Sequence, residues 1–266
     1  MPIPMQALAA SLAAVLALMM ILWLASLLLH NASIVDIFWG PGFVVACLAS
    51  LAGVGRASPR AVLALSLVIV WAARLAIHIY LRNRGREEDF RYRAMRQRAG
   101  RGFAGRSLFE VFLLQGLLLW LVSHPLQVVM TAGETSRLGY LDAVALAVWL
   151  IGFAFEAIGD FQLARFRADP ANRGRVLRSG LWGWTRHPNY FGEALIGWGF
   201  YLFAVGVPEG WVTIYAPLLM SFLLLRVSGV GLLERTLVES KPGYRKYMEE
   251  VSPFLPLPPR RRVDSL

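Results

Sequence analysis

Residues 7–29 read ALAASLAAVLALMMILWLASLLL, twenty-three positions without one charged side chain. A helix needs about 20 apolar residues to cross a bilayer core, so this run is long enough to span. No Lys or Arg lies within residues 1–29, so the charged n-region of a signal peptide is missing, and the run is longer than a signal h-region. It reads as a retained first span, 6–29. Further apolar windows follow at 33–53, 61–81, 108–130, 139–160, 190–206 and 211–230. The expected fold is therefore an all-α, polytopic membrane protein with seven transmembrane helices. Composition agrees: 57% of the 266 residues are hydrophobic, 17% are charged, and the mean hydropathy is +0.53. Soluble domains are about 45–50% apolar and about 25% charged, so a soluble, disordered or coiled-coil chain is excluded.

The net charge of +10 is unevenly placed. Nine Arg fall within 82–106, six within 161–189, and seven Lys or Arg after Gly231. The alternate loops hold only Arg56, Arg60 and Arg137. Basic residues collect in cytoplasmic loops, so this bias predicts an N-terminus outside and a C-terminus in the cytoplasm, and removes the need for a nucleic-acid partner. Cys47 is the one cysteine and the four histidines lack metal-ligand spacing, so no metal site is expected. No repeat or low-complexity linker divides the chain, so residues 1–266 are read as one membrane domain.

Charges inside a span cost about 2.5–3.5 kcal/mol each on insertion scales, which makes them informative. Asp36 opens the second span in Ser33-Ile-Val-Asp36-Ile-Phe-Trp39-Gly40. It is either a carboxylate favoured by the helix dipole or a buried acid able to give a proton. Trp71, Arg74 and His78 share one face of the third span, where packing alone or a site would explain them; Tyr80 suits the interfacial belt. Glu156 and Asp160, at i and i+4, share a face near the C-terminal end of the fifth span, where the dipole disfavours both. They need compensation from Arg or from ligand hydroxyls. Arg165 and Arg167 follow closely.

The sharpest motif runs Gly180-Leu-Trp182-Gly-Trp-Thr-Arg186-His187-Pro188-Asn189-Tyr190-Phe-Gly192-Glu193. Pro188 suits a first helical position, and free N–H groups beyond it favour an anion. A loop rich in Arg feeding a helix N-terminus is a phosphate cradle. Arg226, Glu234 and the pair Tyr244 and Tyr247 follow in the tail, which also reads as an interfacial amphipathic helix. No Walker loop, dinucleotide fingerprint or serine nucleophile elbow is present.

At Arg186-His187-Pro188-Asn189-Tyr190-Phe191-Gly192-Glu193 the chain resembles the steroid 5α-reductase family, and most of all its bacterial homologues. The likeness extends through Asp36 with Trp39, Asn83-Arg84-Gly85-Arg86, Glu156 with Asp160, Gly180-Leu181-Trp182, Arg226 and the Tyr-bearing tail. It implies seven spans and NADPH bound from the cytosolic side. By position, the family's cofactor residues fall on Arg86, Glu156, Asp160, Arg167, Arg175, Asn189 and Arg226. Glu156 stands where animal members have Asn, and Glu234 where they have Tyr. The catalytic carboxylate falls on Asp36, one methylene shorter than the family's Glu. The family's partner Tyr has no match, because Ala72 or Trp71 stands there, so either another donor serves, His78 or Tyr80, or the substrate differs.

The resemblance therefore implies an inner-membrane, NADPH-dependent reductase of a 3-oxo-Δ4 steroid or similar lipophilic enone. Its catalytic candidates are Asp36, His78 and Tyr80. Its cofactor candidates are Arg86, Glu156, Asp160, Arg165, Arg167, Arg175, His187, Asn189, Arg226, Glu234 and Tyr244. Trp39, Trp71 and Arg74 are expected at the substrate, with residues 1–130 on the substrate side and 139–266 on the cofactor side. The chain is read as a monomer among membrane lipid. The Arg-His-Pro-x-Tyr pattern also resembles isoprenylcysteine carboxyl methyltransferases and sterol C14 reductases. A methyltransferase using S-adenosylmethionine and a sterol-binding protein without turnover thus stay open. Methyl transfer involves no phosphate, so it gives less reason for many Arg.

Overall fold

The structure is a computed structural model that describes residues 4–54, 56–133, 137–227 and 230–259. Among the described residues the regular structure is all helical, and no strand occurs beyond an isolated bridge of Thr185 with Ser252. In order the helices are α1 Met5–Leu29, α2 Ile34–Ile37, α3 Trp39–Leu51, α4 Pro59–Asn83, α5 Phe90–Ala99, α6 Phe103–Ser107, α7 Leu114–Val122, α8 His124–Thr131, α9 Tyr140–Ala168, α10 Pro188–Val205, α11 Tyr215–Phe222, α12 Val230–Ser240 and α13 Tyr244–Glu250.

Among the described residues, five segments are long and apolar enough to cross a membrane: Met5–Leu29, Pro59–Asn83, Phe90–Val122, Tyr140–Ala168 and Gly210–Val227. The protein is thus a multi-pass membrane protein by length and composition. The expected second span, 33–53, is broken at Phe38 into α2 and the 13-residue α3. The expected sixth is α10, whose 18 residues include Asn189, Glu193 and three glycines, which lower its hydropathy. The fourth starts earlier than expected. Four of the arginines read as loop, Arg91, Arg93, Arg96 and Arg98, lie on α5. Likewise α9 runs eight residues past Asp160 and carries Arg165 and Arg167.

Local chemistry explains the ends. Ser58 Oγ accepts from Ala61 N at 3.1 Å ahead of Pro59, a cap followed by the residue best suited to a first turn. Asp89 Oδ1 caps α5 by accepting from Arg91 N at 3.0 Å. α10 starts at Pro188, as its sequence predicts. π-helical turns at Leu108–Leu113 and Leu223–Val227 interrupt the regular ladder, a feature that often marks functional sites.

The chain divides into two compact units. One comprises Met1–Asp142 and Tyr201–Ala216, the other Ala143–Phe200 and Pro217–Leu266. In the first, Gly40 of α3 lies so near Ala72 of α4 that a Cβ would come within 2.8 Å of its Cα. Small residues allow such backbone approach between membrane helices. Arg60, read from sequence as a loop charge, is buried there. Its Nε donates to Asp142 Oδ1 at 2.6 Å and its Nη2 to Asp142 Oδ2 at 2.9 Å. Carbonyls of Gly206 and Arg137 take further bonds from it at 2.5 and 2.9 Å.

Candidate functional site

In the second unit, glycines decide how closely α9 and α10 meet. A Cβ at Gly152 would fall 2.7 Å from Gly192 O, and one at Gly159 would fall 3.2 Å from Asn189 N. The two backbones are therefore in contact, and the acids of α9 face the first turn of α10. Glu156 is only 2% exposed and Asp160 is also buried. Asn189 Nδ2 donates to Asp160 Oδ1 at 3.1 Å. Trp182 Nε1 donates to Gly159 O at 3.0 Å, and Leu181 N to Gln162 Oε1 at 3.0 Å, so the Gly-Leu-Trp loop is pinned to the same helix. The structure thus brings Glu156, Asp160 and Asn189 together.

The arginines sort by their angle around α9. At 100° per residue, Arg167 lies about 20° from Glu156, whereas Arg165 lies about 180° away. Arg165, Arg167, Arg175 and Arg226 are all exposed. Arg86 is exposed too, in the first unit after α4.

His187 and Glu234, expected at a cofactor, meet in a buried cluster. Arg186, 6% exposed, donates from Nε and Nη2 to the two Glu234 oxygens at 2.7 and 3.2 Å. Its Nη1 donates to the carbonyls of Met248 and Val251 at 2.7 and 3.0 Å. Four donations leave that guanidinium little to offer a phosphate. His187 Nε2 lies 3.2 Å from Glu234 Oε1, and its ring stacks on Tyr190. Burial pulls the Glu234 carboxyl upward, but the hydrogen bonds from His187 and Arg186 and their charges outweigh it, so it titrates below the usual range. Tyr244 packs with Tyr247 and Val251 in a small core, where burial, and then the Glu234 charge, push its phenol upward. Tyr247 OH donates to Trp182 O at 2.6 Å. The chain after α13 runs beside the motif: Arg186 N donates to Ser252 O at 2.9 Å and Thr185 Oγ1 to Phe254 O at 2.8 Å.

The first unit holds a second polar cluster, which the sequence only half reveals. Asp36 Oδ1 accepts from Tyr92 OH at 2.7 Å and Oδ2 from Arg91 Nη2 at 2.9 Å. Gln115 Nε2 donates to Tyr92 OH at 3.1 Å, and Arg91 Nε to Asp89 Oδ1 at 2.9 Å. Tyr92, Arg91 and Gln115 were not among the expected site residues. The signal lay in the segment read as a basic loop, where the density of Arg hides a helix. Burial raises the Asp89 carboxyl, but bonds and charge from Arg91 more than offset it, leaving it below its ordinary range.

The other expected residues sit elsewhere on α4. Trp71 is buried and connects to Trp39 through Phe43, with ring centroids 5.2 and 5.8 Å apart. Arg74 and His78 are half-buried on the same side. Tyr80 is nine positions from Trp71, half a turn round, and 52% exposed. The phenol beside Asp36 is thus that of Tyr92.

A family described as a protein of unknown function, DUF1295, matches residues 22–251. The chain belongs to the DUF1295 family. An uncharacterized protein of Schizosaccharomyces pombe is 30% identical over 263 residues, covering 89% of this chain and 76% of its own length. No solved structure matches. The DUF1295 match takes in both polar clusters, from Asp36 to Glu234.

Proposed function

We propose that this DUF1295 protein is an NADPH-dependent reductase of the C=C bond of a lipophilic enone, a 3-oxo-Δ4 steroid or a lipid of like shape. The observation that carries the reading is the buried pair Glu156 and Asp160, with Asn189 bonded to Asp160 at 3.1 Å, on a face of α9 that Arg167 shares. Acids buried at the end of a membrane helix are costly, are held by partners or ligands, and often mark a functional site. Their chemistry fits a dinucleotide: carboxylates accept from ribose hydroxyls or a carboxamide, and the exposed Arg167, Arg175 and Arg226 suit phosphates. Bound there, NADPH would supply hydride to the β-carbon of the enone.

Charge then builds on the ketone oxygen, where a positioned donor would stabilise it, and a proton taken up from water at the α-carbon completes the saturated ketone. Tyr92 is assigned that role and Asp36 is its partner, in place of His78 or Tyr80. To donate directly, Asp36 would have to be neutral beside the Arg91 guanidinium, whereas Tyr92 carries a proton, held on Asp36 at rest, that would turn to the ketone oxygen when substrate binds. Gln115 and Asp36 together hold the phenol oxygen in place. In this reading α2 with α3 and α10 complete seven crossings of the inner membrane. The basic segments and the cofactor side then face the cytoplasm, and the protein works as a monomer.

The test is to incubate the purified protein with NADPH and a 3-oxo-Δ4 steroid and to look for the saturated ketone. Tyr92→Phe should lower turnover by about 10²-fold or more, the range of a lost general acid, with NADPH affinity retained. Normal turnover by Tyr92→Phe removes the phenol from the mechanism. Because the same acids would accept the hydroxyls of any ribose, labelled S-adenosylmethionine is tested in parallel. Its binding in place of NADPH would favour a methyltransferase, and steroid binding with neither would favour a non-catalytic sterol-binding protein.

A further inference from the structure

The face of α9 opposite Glu156 borders an open groove of about 690 Å3. Ile158, Phe161, Phe166 and Leu177 form its apolar wall, and Arg165, Asp169, Asn172 and Ser179 line it with polar groups. Its position along the helix is informative. The 29 residues of α9 exceed the about 20 that a bilayer core needs, and its apolar run ends at Asp160. The turns beyond Asp160 therefore emerge at headgroup depth. There Phe161 is 62% exposed and Ile158 is also exposed, as lipid-facing side chains are.

Arg165 and Asp169 stand one turn apart, about 6 Å along the axis. Arg165 has no hydrogen bond or ion pair among the described residues. Asp169 spends one lone pair on Ala171 N at 2.9 Å and meets Asn172 Nδ2 at 3.4 Å, which leaves acceptor capacity on both oxygens.

We propose that this groove is a phospholipid site selective for a headgroup bearing both a phosphate and a primary ammonium. The guanidinium of Arg165 takes the phosphate. The carboxylate of Asp169 takes the ammonium, joined to the phosphate by a short ethylene link. The acyl chain lies along Phe161 and Ile158 toward the bilayer. This moves Arg165 from the dinucleotide, where sequence alone would put it, to a lipid. The inference stands independently of the reductase reading.

The test is native mass spectrometry of the full-length protein, extracted in mild detergent and offered phosphatidylethanolamine, phosphatidylcholine or phosphatidylglycerol. The expected result is retention of phosphatidylethanolamine above the other two. Arg165→Gln should lower retention of all three by about ten-fold, the scale of one charge-assisted hydrogen bond. Asp169→Asn keeps the acceptor that caps Ala171, so folding is preserved, and should abolish only the preference for the primary ammonium. Affinity for NADPH, read by fluorescence on the same samples, should not change in either variant. Equal retention of phosphatidylglycerol by the native protein overturns the headgroup assignment. A fall in NADPH affinity with unchanged lipid retention in Arg165→Gln returns this arginine to the dinucleotide and overturns the proposal.

Discussion

Replacing Gly192 by alanine tests whether the contact between α9 and α10 is what seats the acids. A Cβ at Gly192 would lie 2.5 Å from the Gly152 carbonyl oxygen and 2.9 Å from Glu156 Cα. Ordinary contact begins near 3.4 Å, so the helices would have to part by on the order of 1 Å. Both obstacles are backbone, which cannot rotate aside as a side chain can. Overpacking costs about 1–3 kcal/mol, and a backbone clash belongs at the upper end. Alanine regains about 1 kcal/mol of helix propensity over glycine. The net loss is then about 2 kcal/mol, or about 4–8 °C in melting temperature. Gly197 on the same helix is the matched control. A Cβ there would meet nothing nearer than Met220 Cγ at 3.8 Å, so Gly197→Ala should be neutral or slightly stabilising. Tryptophan fluorescence during heating of the detergent-solubilised protein reads the first effect. NADPH titration reads the seating of the acids, and affinity should weaken only in Gly192→Ala. If both variants melt alike, the close approach of the two helices is refuted, and with it the reason Asn189 reaches Asp160.

Removing one partner of the buried Arg60–Asp142 pair should cost far more than removing both. Asp142→Asn is expected to destabilise by about 3–5 kcal/mol because it strands a buried guanidinium, while Arg60→Met combined with Asp142→Leu should cost markedly less; equal melting of the two forms would contradict this. Glu234 should contribute an acid limb to stability. Its folded value lies below its unfolded one, so its contribution is full above the unfolded carboxylate range, near 4.3, and fades as pH falls toward the folded value. Glu234→Gln should melt earlier at neutral pH and lose that limb, and a variant with an unaltered pH profile would show that the cluster does not act through this carboxyl.

Runs of apolar residues carried most of the architecture, because a helix that must satisfy its own backbone in lipid declares itself by length and composition. Residues 7–29, 61–81 and 139–160 were legible in that way, and Pro188 announced the start of α10. The interruption at Phe38 and the helical form of residues 90–99 were not legible. The first lies inside an unbroken apolar window, and the second lies under arginines whose charge masks the periodicity. The site divides along the same line. Glu156 and Asp160 stood out because acids in a span demand a cause. Sequence alone put Arg165 and Arg167 together at the cofactor; only with α9 helical to Ala168 does the spacing set Arg167 beside the acids and Arg165 opposite. Which partners come from distant segments depended on packing: Tyr92 on Asp36 across fifty-six positions, and Glu234 on Arg186 across forty-eight. A linear pattern records periodicity within an element, whereas the choice between a phosphate and an internal carboxylate for an arginine is made only when a second helix arrives within hydrogen-bond reach.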